Sequence, residues 1–212
     1  MSLQDLSKAI ENGKRNDAKA ITQALLDAGT APIDIVEQGL VPGMGTIGEK
    51  FKNNEVFVPE MLIAARAMKE AMAMLEPLLA AQGIAPKHRV VIGTVQGDLH
   101  DIGKNLVAMM LKGANFGVID LGTNVSPEAF VAAAKEHDVQ VIGLSTLLTT
   151  TMAHIPEFIE LLTEKGLREK YLVVVGGAPL TAEFAEKVGA DGFAPDAAQA
   201  VELVKRLLQK SA

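Results

Sequence analysis

Of the four histidines in this chain, His100 alone stands where an imidazole could do chemistry. It lies in the stretch Val95-Gln96-Gly97-Asp98-Leu99-His100-Asp101-Ile102-Gly103, with a carboxylate on either side, Asp98 and Asp101. Gly103 follows, where a backbone without Cβ lets a large flat ligand approach closely. A neutral imidazole is a common metal ligand, and its second nitrogen needs an acceptor that fixes tautomer and orientation. A histidine in a turn also reads as a surface residue or a helix cap, so the surrounding elements must decide.

Those elements point to a strand-to-helix turn. Arg89 to Thr94 has the marks of a buried strand, and Lys104 to Leu111 those of a helix. Further β-branched runs occur at Val118 to Leu121, Val139 to Ser145 and Tyr171 to Val175, with a weaker fifth at Gly192 to Ala194. Helical stretches separate them: Ile102 to Lys112, Pro127 to Glu136, Thr151 to Lys165, Thr181 to Lys187 and Asp196 to Leu208. The alternation predicts a doubly wound, five-stranded parallel sheet in the flavodoxin-like order 2-1-3-4-5. Ligands of such sheets bind beyond the carboxyl ends of the strands, where the order reverses. The loop after the first strand carries His100. The loop after the third runs Ser145-Thr146-Leu147-Leu148-Thr149-Thr150-Thr151, dense in hydroxyls, and the fourth strand ends in Gly176-Gly177. Hydroxyls also cap helices and glycines also make turns, but these three features fall together on one sheet edge.

The first 86 residues follow a different pattern. Ser2-Leu3-Gln4-Asp5 has the form of a capping box ahead of a helix that ends at Asn12-Gly13. Helices are expected from about Asp17 to Ala28, from Ile33 to Leu40 with a break at Val41-Pro42-Gly43, from Met44 to Lys52, and from Pro59 to about Gln82. Met44, Met61, Met68, Met72 and Met74 read either as core gap-fillers or as a soft surface for a partner or cofactor. Gln82-Gly83-Ile84-Ala85-Pro86 breaks the pattern, so the boundary is expected between a helical bundle over residues 1–86 and an α/β domain over 87–212.

Composition narrows the function classes. The 212 residues are 49% hydrophobic and 22% charged, ordinary for a folded soluble protein. The net charge of −6 divides evenly between the two parts, so neither offers the basic face that nucleic acid or anionic lipid requires. Without cysteine there is no disulfide, thiolate metal site or thiol nucleophile, which suits a reducing cytoplasm. No leader precedes the first helix and no apolar run reaches the 18 or more residues of a membrane span, so a mature cytoplasmic protein is expected.

The motifs resemble a known family. Asp98-x-His100-x-x-Gly103, then 41 intervening residues to Ser145-x-Leu147, then 28 to Gly176-Gly177, is similar to the signature of cobalamin-binding proteins that hold the cofactor base-off with a protein histidine on cobalt. In the helical part, Phe51, then Phe57-Val58-Pro59-Glu60-Met61 and Ala64-Ala65-Arg66-Ala67-Met68, resembles the cap domain of cobalamin-dependent methionine synthase and of the small corrinoid proteins of methyltransferase systems. The resemblance covers nearly the whole chain.

It implies His100 as the cobalt ligand, Asp98 as its partner and Ser145 as the next link of that network. Asp101, Ile102 and Gly103 complete the binding turn, and Ser145, Leu147, Thr149, Thr151, Gly176 and Gly177 line the crevice for the displaced dimethylbenzimidazole tail. Phe51, Val58 and Met61 of the cap would cover the opposite, methyl-bearing face and exclude water. The implied function is a corrinoid methyl carrier. It would accept a methyl group on cobalt(I) from a substrate:corrinoid methyltransferase and pass it to a methylcorrinoid:acceptor methyltransferase that serves tetrahydrofolate or coenzyme M. A reductive activator would be a third partner, and the chain a non-autonomous subunit. A mutase small subunit shares the Asp98-His100-Gly103 turn but would lack the helical cap. A cobalamin light sensor would carry a DNA-binding segment and a tryptophan over the cofactor, and this chain has no tryptophan.

Overall fold

The computed structural model describes residues 1–210. The chain divides into two compact units, Met1–Pro86 with Met109–Asn115, and Lys87–Ala108 with the chain from Phe116 onward.

The helical unit begins with α1 (Leu3–Glu11), closed at its start by a reciprocal pair of bonds. The Asp5 N–H donates to Ser2 Oγ at 3.1 Å, and the Ser2 N–H donates to the Asp5 carboxylate at 2.8 Å. After α2 (Arg15–Asp27) come α3 (Pro32–Asp34), a π-helical segment (Ile35–Leu40), α4 (Val41–Lys52) and the long α5 (Val58–Ala81). The break expected at Val41-Pro42-Gly43 does not occur, because the helix runs on from Pro32 to Lys52. The π segment closes with the Val41 N–H on the Val36 carbonyl, five residues back, and Pro42 then sits in the first turn of α4, where a missing N–H costs least. Helical spacing places Met61, Ala64, Ala65, Met68 and Leu75 on a buried face of α5, and Leu6, Ile10, Ile35 and Leu40 are likewise buried. Met44, Met61 and Met68 therefore fill core, as the plainer of the two readings of the methionines has it.

The sheet unit holds β1 (Arg89–Thr94), β2 (Gly117–Asp120), β3 (Val141–Ser145), β4 (Leu172–Gly176) and β5 (Gly192–Ala194), all parallel, in the order β2-β1-β3-β4-β5. α6 (Ile102–Gly113), α7 (Pro127–Glu136), α8 (His154–Glu164), α9 (Ala182–Val188) and α10 (Ala197–Lys210) alternate with the strands. Val91, Ile142 and Val173 from three central strands are wholly buried and pack with Phe130 of α7 and Phe158 of α8, whose rings meet edge to face at 5.7 Å. The register matters for function: Thr94 pairs with Ser145, and Ser145 with Gly176, so three central strands end level and release three loops at one place. The helix expected from Thr151 starts instead at His154. Thr149–Thr151 forms a 3-10 turn, because the Thr151 hydroxyl is engaged by groups outside the helix.

Candidate functional site

The turn after β1 is built to hold one imidazole in one pose. Gly97 adopts φ +80°, which suits a residue without Cβ, and its N–H donates to Asn124 Oδ1 at 2.8 Å. The Asn124 N–H returns a bond to the Asp98 carbonyl at 3.0 Å. Thr94 Oγ1, fully buried, donates to the His100 carbonyl at 2.8 Å, while the His100 N–H donates to Asp98 Oδ1 at 3.0 Å. The ring is held by the same carboxylate oxygen, with Nδ1 at 2.7 Å from Asp98 Oδ1.

Asp98 has no exposed surface, and its second oxygen is equally well occupied. Oδ2 accepts the Leu147 N–H at 2.6 Å, the Leu148 N–H at 3.2 Å, Thr146 Oγ1 at 3.2 Å and Thr151 Oγ1 at 3.3 Å. Burial pushes the carboxyl pKa up, but the backbone N–H groups of Leu147, His100 and Leu148 and the His100 ring outweigh it, so the group is held well below the usual carboxylate range. An ionised carboxylate can only accept, so Nδ1 of His100 carries the hydrogen and the neutral ring keeps its lone pair on Nε2. The His100 side chain is 52% exposed. The arrangement therefore presents a single, oriented nitrogen donor to the outside.

The link expected from Asp98 to Ser145 is replaced by Thr146 and Thr151. Successive side chains along an extended segment point in opposite directions, so the Thr146 side chain turns inward to Asp98 where Ser145, the last residue of β3, cannot. Thr146 stood in the hydroxyl-rich run without a role assigned to it, and neither composition nor spacing told it from its neighbours.

The start of α6 is anchored from below. Lys104 is 3% exposed, and its Nζ donates to both oxygens of Asp120 at 2.6 Å and to Asn105 Oδ1 at 2.7 Å. Asn105 Nδ2 donates in turn to Asp101 Oδ2 at 2.9 Å, so Asp101 braces the helix start from the position next to His100. On the His100 turn and on the loop whose N–H groups hold Asp98, Leu99, Ile102, Leu147 and Leu148 all expose large apolar side chains, and a Cβ on Gly103 would point into open space. Leu99 and Leu148 were not singled out in the sequence. Thr149 is exposed.

Gly176 ends β4 and Gly177 opens the loop that follows, with φ +136°. A Cβ there would fall 1.7 Å from the Thr146 carbonyl oxygen, so the bare backbone lets the two loops touch. Gly177→Ala should cost about 3 kcal/mol of apo-protein stability in urea unfolding, through φ strain and displacement of Thr146. An unchanged midpoint would show that the turn relaxes freely.

Phe51, Val58 and Met61 belong to the helical unit. Val58 is exposed and Phe51 is half-buried, but Met61 has no exposed surface. Met61 was expected on an open cap face. The helical period instead turns it inward with Ala64, Ala65 and Met68, and leaves Val58, Leu62, Ile63 and Leu78 of α5 exposed, with Phe57 just ahead of the helix.

Among the described residues no group of three or more His, Cys, Asp or Glu could hold a metal ion, and no helix is long and apolar enough to cross a membrane.

Comparison with known proteins adds an independent line. A family model described as a B12 binding domain matches residues 88–204, and a second model of the same description matches residues 2–76. A corrinoid protein of Desulfitobacterium hafniense strain Y51 is 43% identical over 211 residues, covering 98% of each chain. Dimethylamine corrinoid protein 1 of Methanosarcina mazei is 42% identical over 207 residues, covering 97% of this chain and 95% of that protein. Among solved structures, a chain of the methanol:cobalamin methyltransferase complex MtaBC from Methanosarcina barkeri superposes with a TM-score of 0.88 at 29% identity, over 98% of this chain and 79% of that one. A cobalamin-binding protein from D. hafniense DCB-2 superposes with a TM-score of 0.81 at 29% identity, over 97% and 98% of the two chains.

Proposed function

This chain belongs to the family of B12-binding corrinoid proteins, and from that premise we propose that it is a methyl carrier, holding a corrinoid through His100. It serves two enzymes in turn: a substrate:corrinoid methyltransferase that loads it, and a second methyltransferase that unloads it onto an acceptor such as tetrahydrofolate or coenzyme M. A reductive activator is the third partner. The observation that carries this reading is the single oriented donor at His100, set among Leu99, Ile102, Leu147 and Leu148. One imidazole suits a metal that already carries its other ligands, and an exposed apolar surround suits the broad face of a macrocycle.

The residues present fit such a group. A Cβ at Gly103, three residues past His100, would meet open space, and Gly177 lets the loop after β4 close against Thr146 beside the Asp98 network. When bound, the corrinoid supplies a cobalt centre to which a methyl group can be attached and from which it can be removed. The protein's own part is orientation. Asp98 fixes the Nδ1–H tautomer of His100 so that Nε2 is free to hold the metal of a bound corrinoid, the backbone donors of Leu147 and Leu148 keep Asp98 ionised, and the exposed side chains of Leu99 and Ile102 would offer apolar contact to such a group.

Methylated amines are the first donors to test, since relatives bear the names of dimethylamine and trimethylamine corrinoid proteins. The chain should take up hydroxocobalamin stoichiometrically and, after reduction, become methylated when mixed with a dimethylamine methyltransferase and dimethylamine, the product being read by its visible spectrum. Methylation by a methanol system alone would move the donor assignment. A chain that stays colourless through reconstitution would overturn the carrier reading.

A further inference from the structure

Lys104 is a buried cation to which the proposed function gives no part. It lies in the first turn of α6, 3% exposed, and its ammonium has three hydrogens for three oxygens: both of Asp120 at 2.6 Å and Asn105 Oδ1 at 2.7 Å. Burying an ammonium is costly unless each hydrogen is paired, and here each one is. Asp120, the last residue of β2, is itself fixed. Its Oδ1 accepts the Gly122 N–H at 2.9 Å, and the Gly122 carbonyl accepts the Thr94 N–H at 2.9 Å from the end of β1. Lys104 is therefore held from the ends of two strands.

Charge decides what happens at the other end of this chain of bonds. A side-chain amide has a donor end and an acceptor end, whereas an ammonium can only donate. Lys104 thus turns Asn105 Oδ1 toward itself and leaves Nδ2 for Asp101, whose Oδ2 accepts it at 2.9 Å. The reverse orientation would set an NH₂ against the ammonium and a carbonyl oxygen against the carboxylate. The Asn105 backbone N–H also donates to the Asp101 carbonyl, at 2.7 Å, so residue 105 grips residue 101 by main chain and side chain together. Asp98 takes no part in this chain.

We propose that Lys104 is a positioning residue for the corrinoid: by setting the orientation of the Asn105 amide it ties down Asp101 and keeps Asp101 to Gly103 in binding form before the ligand arrives. The proposal rests on the carrier reading, since the ligand is the one that His100 would hold. A turn ordered in advance loses less freedom on binding, so the tether acts on affinity.

The test is a double-variant cycle in the full chain. Lys104→Met removes the cation and keeps an unbranched side chain. Asn105→Ala, at an exposed helical position, cuts the middle link and leaves the Lys104–Asp120 pair. In the apo-protein, K104M should shift the side-chain amide resonances of Asn105 and speed their exchange with solvent. In titrations with hydroxocobalamin followed by the visible spectrum, each single variant should weaken binding by roughly two- to tenfold, the range of one net hydrogen bond. The double variant should bind no more weakly than K104M alone, because both changes cut one chain of bonds. If the two losses multiply instead, or if K104M lowers stability in urea while the Asn105 resonances and the affinity stay at wild-type values, Lys104 only supports the fold and the inference fails. A wild-type chain that takes up no corrinoid overturns the carrier reading and the ligand named here, while the apo resonances still decide whether Lys104 orients Asn105. Should K104M not fold, Lys104→Gln, which is no longer a pure donor, takes its place in the cycle, and the same outcomes decide.

Discussion

His100→Ala should lower cobalamin affinity at least tenfold and remove the protein-nitrogen splitting from the cobalt(II) paramagnetic resonance spectrum, while leaving the apo-protein almost as stable as wild type. The ring is half exposed, so truncation opens no core cavity. Asp98 loses one donor of its set but keeps the His100 N–H, the two backbone donors of Leu147 and Leu148, and the hydroxyls, so the stability cost should stay near 1 kcal/mol. Urea unfolding and spectroscopy thus separate folding from ligation. On the proposed reading the splitting belongs to His100, and a splitting retained in H100A would place the ligand elsewhere.

Asp98→Asn should act on the fold itself. Every bond to this side chain in the site is received by an oxygen: two from His100 on Oδ1, and on Oδ2 the N–H groups of Leu147 and Leu148 together with the hydroxyl pair of Thr146 and Thr151, whose oxygens lie 3.2 and 3.3 Å away. An amide cannot match that pattern in either orientation, since its NH₂ meets either the N–H groups of Leu147 and Leu148 or those of His100. The variant should lose about 3 kcal/mol at neutral pH in apo-protein unfolding. The pH dependence should change with it. Because the folded carboxyl is held below its usual range, its contribution is fully present above the ordinary carboxyl pKa of about 4 and is lost as the pH falls through the folded value. Wild type should therefore lose stability on acidification below about pH 4 more steeply than D98N. Stability curves of the two proteins that run parallel through that range would refute the depressed carboxyl.

The separate magnitudes explain why these two substitutions differ. At His100 the chain spends little structure on an exposed ring, so on the proposed reading its loss should be felt in corrinoid binding rather than in folding. At Asp98 it converges donors from two loops on one buried charge, and an unmatched buried donor costs more than an absent surface contact.

Much of this organisation was legible in the residues. Continuous β-branched runs at Val90 to Ile92, Ile142 and Val173 to Val175, spaced by amphipathic helices, admit few arrangements other than a parallel sheet with right-handed crossovers. Parallel strands place the Asp98-His100 turn, the Ser145 loop and the Gly176-Gly177 turn on the same edge, which is why three motifs far apart in sequence could be read as one site. Even the short Gly192–Ala194 run is a strand, paired with the end of β4. The capping box at Ser2 and Asp5 is a local signal that needs nothing distant to be satisfied.

Tertiary structure alone decided which atoms complete the site. Whether Ser145, Thr146 or Thr151 reaches Asp98 depends on the pleat at the end of β3 and on the path of a loop nearly fifty residues away, and both are set by packing rather than by residue type. The inward turn of Met61 follows from the faces of α5 that its neighbours bury. The unbroken helix through Pro42 follows from a π segment that no residue pattern announced. Local sequence determines what a segment prefers and which side chains are available for chemistry. Which of several equivalent hydroxyls or methyl-bearing side chains meets a given partner is a matter of fractions of an ångström and of facing direction, and those are fixed only when the whole chain has packed.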